Sequence, residues 1–174
     1  MSFREFFDNF LPKSNQNNAT KAGTLEERVR SLLTNENDNN LLKYTCIAGL
    51  LARVAYADMN ITKEEVQTIE SALNTWTDLD PAQTKSIAQI AIDEVSNLSG
   101  LDNHLYTSEL RELLNETEKY EILESLFAVA ASDGTAASIE SEEIRIIAKG
   151  LLLEHKHFVS ARATVMEHIG ALKT

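Results

Sequence analysis

Proline and glycine are scarce in this chain, 2 and 6 among 174 residues. A sheet-rich or loop-rich fold needs more of both for its turns. The two prolines, Pro12 and Pro81, leave long stretches without a helix breaker. A single cysteine, Cys46, excludes an intrachain disulfide. It lies in the apolar run Cys46-Ile47-Ala48-Gly49-Leu50-Leu51, where a thiol is more often an inert core group than a nucleophile. No stretch reaches the roughly 18 apolar residues of a spanning helix. The first residues show no basic stretch followed by an apolar one, so no secretory leader is expected and the chain reads as cytoplasmic. Basic residues are outnumbered, 16 Lys and Arg against 27 Asp and Glu, for a net charge of −11. That balance excludes nucleic acid, whose binders need a basic face, and disfavours an electrostatic grip on anionic lipid. It suits a cation or a basic partner surface, and it also keeps a plain cytosolic protein soluble.

Apolar residues make up 43% of the chain, enough for a core. Their spacing is helical throughout. Thr24-Leu25-Glu26-Glu27 reads as a capping box opening a short helix to about Leu33. Leu41 to Ala57 is apolar on almost every face, as in a helix buried on all sides. Thr62-Lys63-Glu64-Glu65 repeats the capping chemistry, and Asp80-Pro81 is a cap followed by proline at the first helical position. Further helices are predicted over about 103–114, from Asn115 or Thr117 to Ala131, from near Glu140, and from about His157 to Leu172. The fold class is therefore all-α, a bundle of about seven to nine helices.

Two stretches match each other. Ala52-Arg53-Val54-Ala55-Tyr56-Ala57-Asp58-Met59-Asn60 leads through Ile61 to Glu64-Glu65, and Phe127-Ala128-Val129-Ala130-Ala131-Ser132-Asp133-Gly134 leads through Ile139 to Glu142-Glu143. Each runs as an Ala-rich buried helix, an Asp, a loop, an Ile and a helix opening on two Glu. Ala55 pairs with Ala130, Asp58 with Asp133, Ile61 with Ile139 and Glu65 with Glu143, which makes the second loop three residues longer. Alanines at a helix crossing let two such helices approach closely, so a pseudo-two-fold arrangement of the loops is expected.

This doubled pattern of Ala-x-x-Asp, loop, Ile and Glu resembles the TerB-like tellurite-resistance superfamily, which includes the N-terminal region of DjlA-type co-chaperones. The resemblance covers about Leu41 to Leu172. It implies a TerB-like fold, an acidic cluster that binds metal, and an association with tellurite and other stress responses. The acidic positions it implies are Asp58, Glu65, Asp133 and Glu143. The chain departs from the family at Met59, where Gly is usual, and in the length assigned to its second loop.

Hard cations such as Ca²⁺ or Mg²⁺ need several oxygen ligands. Asp58, Asn60 and Glu65 offer three, and Asp133, Thr135 and Glu143 mirror them, with Glu142 auxiliary. Zn²⁺ fits this donor set less well. Neither loop is an EF-hand, because Ile69 and Ile144 stand where its bidentate Glu belongs. Helix capping accounts for the same acids without a metal: Glu65 closes a box on Thr62, and Glu142 and Glu143 suit a helix N-terminus. No nucleophile–base pair and no phosphate loop is present, so an enzyme is not expected. Glu154-His155-Lys156-His157 holds one Glu-x-x-His where a di-iron bundle needs two, and its histidines are expected near the C-terminal end of a helix, where a cation suits the dipole.

The start of the chain gives a second lead. Phe3, Phe6, Phe7 and Phe10 fall on one face of a predicted helix over 1–11, followed by a polar linker over 12–23 and the main domain over 24–174. A helix that short does not persist alone in water and must dock. Its own domain, a second copy or a partner protein are the expected surfaces, with a peripheral membrane contact ranked lower because its charges are mixed. The alternative to a cation-binding protein is thus a metal-free scaffold, or a co-chaperone-like adaptor, docking through this helix.

Overall fold

A helix that is apolar on every side must be surrounded, and the stretch from Leu41 to Ala55 is. The computed structural model describes residues 21–96, 102–134 and 136–172. Among them are eight helices and no strand: α1 (Lys21–Leu32), α2 (Asp38–Ala55), α3 (Lys63–Trp76), α4 (Pro81–Val95), α5 (Asp102–Leu113), α6 (Glu116–Ala130), α7 (Ser138–Gly150) and α8 (His155–Leu172). Helix α2 touches α1, α3, α4, α5, α6 and α7. Its Ile47, Leu50, Leu51 and Val54 are fully buried, each contributing about 1.5–3 kcal/mol by leaving water. Cys46 is buried with them, and burial pushes its thiol well above its ordinary range. It is a core group, as its apolar neighbours predict. Close approach is needed where α2 meets α5: a Cβ on Gly49 would lie 2.6 Å from the Tyr106 ring.

Local chemistry sets the helix starts. Asn37 caps α2 by accepting the Asn40 N–H at 2.9 Å. Asp80 caps α4 through the N–H groups of Ala82 and Gln83, with Pro81 in the first turn. Asn115 caps α6 and Glu118 answers it at 2.9 Å. Helix α1 begins at Lys21, so the last three residues assigned to the linker are helical. His155 and His157 lie in the first turn of α8, not near a helix C-terminus as expected. There His157 Nδ1 accepts the Glu154 N–H at 3.2 Å, a capping role. The segment carrying Phe3, Phe6, Phe7 and Phe10, and the linker up to residue 20, lie outside the described residues, as does Thr135.

The internal repeat is three helices long. Helices α2, α3 and α4 recur as α6, α7 and α8. Helix α2 packs on α4 as α6 packs on α8, and the contact of α2 with α7 is mirrored by that of α6 with α3. The register is constant. Backbone bonds from Tyr56 to Ala52, Ala57 to Val54 and Met59 to Tyr56 recur from Ala131 to Phe127, Ser132 to Val129 and Gly134 to Ala131. Even the ion pair that joins the halves, Lys43 to Glu118 at 3.3 Å, links positions 75 apart, the period of the repeat. The two loops are therefore equal in length, and the three-residue insertion expected in the second does not exist. Ile61 pairs with Ala136, and Glu65 pairs with Glu140 instead of Glu143. Glu142-Glu143 imitates Glu64-Glu65 in sequence, but the helix start is fixed by its cap.

Candidate functional site

Helix α2 stops at Ala55, and the chain turns back through Met59, which adopts φ 65°. That left-handed conformation favours glycine. The matching residue of the second loop is Gly134, at φ 101°. The departure at Met59 therefore leaves the turn intact, at the cost of a strained, exposed methionine. Asp58 holds the turn by accepting the Asn60 N–H at 2.8 Å, an Asx turn.

The first loop ends on Thr62, the cap of α3. Its hydroxyl accepts the Glu65 N–H at 3.2 Å, and Glu65 Oε2 accepts the Thr62 N–H at 2.6 Å and its hydroxyl at 2.8 Å. The second loop ends on Ala137 in the same extended conformation, with no hydroxyl to offer. Glu140 Oε2 still accepts the Ala137 N–H, at 2.8 Å. Each Glu is thus the third residue of its helix, bent back over its own N-terminus. That posture turns both carboxyls inward, and they are only 5% and 6% exposed.

The pseudo-two-fold relation brings these carboxyls together. Glu65 and Glu140 stand within hydrogen-bonding reach of each other, with Asp58 near enough to add its charge. Burial raises the Glu140 pKa to about 7; the Ala137 N–H opposes the shift, and Glu65 and Asp58 reinforce it. Two carboxylates this close cannot both ionise at low cost, so Glu65 favours the protonated form of Glu140.

The other acids go elsewhere. Glu143 accepts from Arg53 Nε at 3.0 Å and from the Asn103 amide, tying α7 to α2 and α5. Glu142 lies on the exposed face of α7, paired with Arg145, whose guanidinium lowers its pKa. Asp58, Asn60 and Asp133 are exposed loop residues. Among the described residues no three His, Cys, Asp or Glu converge as ligands of one ion. Of the sequence candidates, Asp58 and Glu65 are brought together, Asp133 takes the equivalent loop position, and Glu142 and Glu143 are drawn off by arginines. The residue missed is Glu140. Its signal was available in the unbroken period of the repeat and in its place three residues after Ala137.

The sequence model of the family described as Tellurite resistance protein TerB matches residues 45–163. That span runs from the middle of α2 into α8 and takes in both loops and the carboxylate pair. No curated protein and no solved structure matches the chain.

Proposed function

The chain belongs to the TerB family, and from that premise we propose that it is a non-enzymatic cytoplasmic protein that responds to a divalent cation at the meeting point of its two loops. In this reading Glu65 and Glu140 are the ligands, and Asp58 is near enough to add its charge. The single observation that carries this reading is the buried pair itself, one carboxyl from each repeat, with burial and its neighbours favouring the protonated form of Glu140 where a cation could take the proton's place. The donor set fits a hard cation. A carboxylate has about four lone-pair sites, and capping occupies two on Glu65 and one on Glu140. The remainder are oxygen donors suited to Ca²⁺ or Mg²⁺ and poorly suited to Zn²⁺. A bound cation supplies the positive charge that lets both carboxyls ionise. The tellurite and stress association is extended to this chain on family membership alone.

The test is thermal unfolding of chelator-stripped protein titrated with Ca²⁺, Mg²⁺, Mn²⁺ and Zn²⁺ at pH 8. A cation bound by the folded state alone adds about 2.7 kcal/mol at a hundredfold excess over its dissociation constant. The rise is expected with Ca²⁺ or Mg²⁺, is expected to disappear in Glu65→Gln and Glu140→Gln, and is expected to persist in Glu143→Gln. No rise with any cation contradicts the proposal. It would favour the second reading, a metal-free scaffold, for which the complete capping box on Thr62 is the supporting observation.

A further inference from the structure

A second surface lies apart from the carboxylate pair. A groove of about 680 Å³ runs between α6, α8 and the turn 131–134. Helix α6 presents Glu121, Glu124, Ser125 and Ala128 to it. Their spacing of three and four places them on one stripe of the helix. From Glu121 to the end of α6 at Ala130 that wall extends about 14 Å at 1.5 Å per residue, and the turn beyond it adds to that length. The floor is made of small side chains, Ser125, Ala128 and Ala131, while Val165 and Ile169 of α8 form the opposite wall. The rim is acidic. Glu121, Glu124 and Asp133 stand along it, and no lysine or arginine is among the described lining residues. Neither Glu121 nor Glu124 has a salt bridge among the described residues. The Ser132 hydroxyl, buried without a hydrogen-bond partner there, belongs to the same lining.

We propose that this groove docks a basic amphipathic helix of a partner protein. About three turns fill it, with apolar side chains three or four apart on the floor and Lys or Arg over Glu121 and Glu124. Small floor residues let a helix backbone come close, as they do where helices pack within proteins. Charge selects the occupant. An apolar floor alone would accept any amphipathic helix, but the Glu121 and Glu124 carboxylates on the rim of a chain of net charge −11 attract a basic one and repel an acidic one. The chain's own first segment carries Arg4 against Glu5 and Asp8 and offers no such match.

The probe is a model peptide of roughly 14 residues, Leu at helical spacing on one face and Lys on the flanks. A control peptide carries Glu in place of every Lys. Amide shifts of the full chain are followed during titration. The Lys peptide is expected to move amides around Ala128 and Val165, more weakly as salt rises, while the Glu peptide is not. The double change Glu121→Lys with Glu124→Lys is expected to weaken binding about tenfold or more. Equal binding of the Glu peptide, shifts centred elsewhere, or indifference to the charge reversal overturns the proposal. So does movement of the same amides on deleting residues 1–20, which would make the occupant the chain's own N-terminus. Movement on raising protein concentration alone would make it a second copy, with the same consequence.

Discussion

Glu140 shows how one side chain can be structural and responsive at once. As a cap it must bend back over Ala137, and that posture buries it beside Glu65. Its folded pKa lies near 7, against 4.5 for the free group. An acid raised by folding binds its proton more tightly in the folded state. Its stabilising contribution is therefore complete below about pH 4.5 and is lost as pH rises through 7. Glu26 and Glu109, both raised by burial, add to the same trend. In chelator, the wild type is expected to lose stability between pH 4.5 and 8. Glu140→Gln cannot ionise, and is expected to be more stable than wild type by roughly 1 kcal/mol at pH 8, the shift being discounted for screening. At pH 4.5 the two proteins are expected to be equal. Denaturant melts at the two pH values check this, and equal stability at both contradicts it. Glu140 was hard to read in the sequence because Ala137, ahead of it, carries none of the side-chain oxygens that mark a cap. Thr62 marks Glu65 plainly.

The two loop–helix units also differ as elements in their caps. Thr62 gives α3 a reciprocal box, while α7 starts from Ala137 with only the return bond from Glu140. Ala137 already holds the extended conformation of a cap, φ −64° and ψ 156°, close to the −83° and 164° of Thr62. Ala137→Ser is therefore expected to place a hydroxyl on the Glu140 N–H and to stabilise the protein by about 1 kcal/mol. An unchanged or lower midpoint of thermal unfolding would count against the equivalence of the two caps. Element type was largely legible in the sequence, since helical spacing, Asn115, Thr62 and Asp80-Pro81 fixed most starts. The start of α1 at Lys21 and of α8 at His155 was not, because neither is announced by a cap residue in the expected place. Equal loop length was obscured by Glu142 and Glu143, which imitate Glu64 and Glu65 in sequence while standing one turn further along their helix.

At the scale of the molecule, a duplicated three-helix unit packs on itself, with α2 at the centre. Its symmetry creates what neither half contains, a pair of inward carboxyls contributed by equivalent positions. Composition foretold the all-helical class and the buried centre. It did not foretell the meeting of Glu65 with Glu140, because that contact depends on the crossing of α2 with α7 and of α3 with α6, which no local pattern encodes. No helix among the described residues is long and apolar enough to cross a membrane. The α6–α8 groove lies outside the acidic meeting point, although Asp133 and Gly134 border it, so a ligand at one surface has a short path to the other. The central claim is that Glu140, buried beside Glu65, holds a proton which a divalent cation replaces. The most direct measurement is a carboxyl carbon titration of Glu140 by NMR from pH 4 to 9, in chelator and in excess Ca²⁺ or Mg²⁺. The account predicts a midpoint of about 7 in chelator and a clear fall with the cation; a midpoint that is the same in both solutions would contradict it.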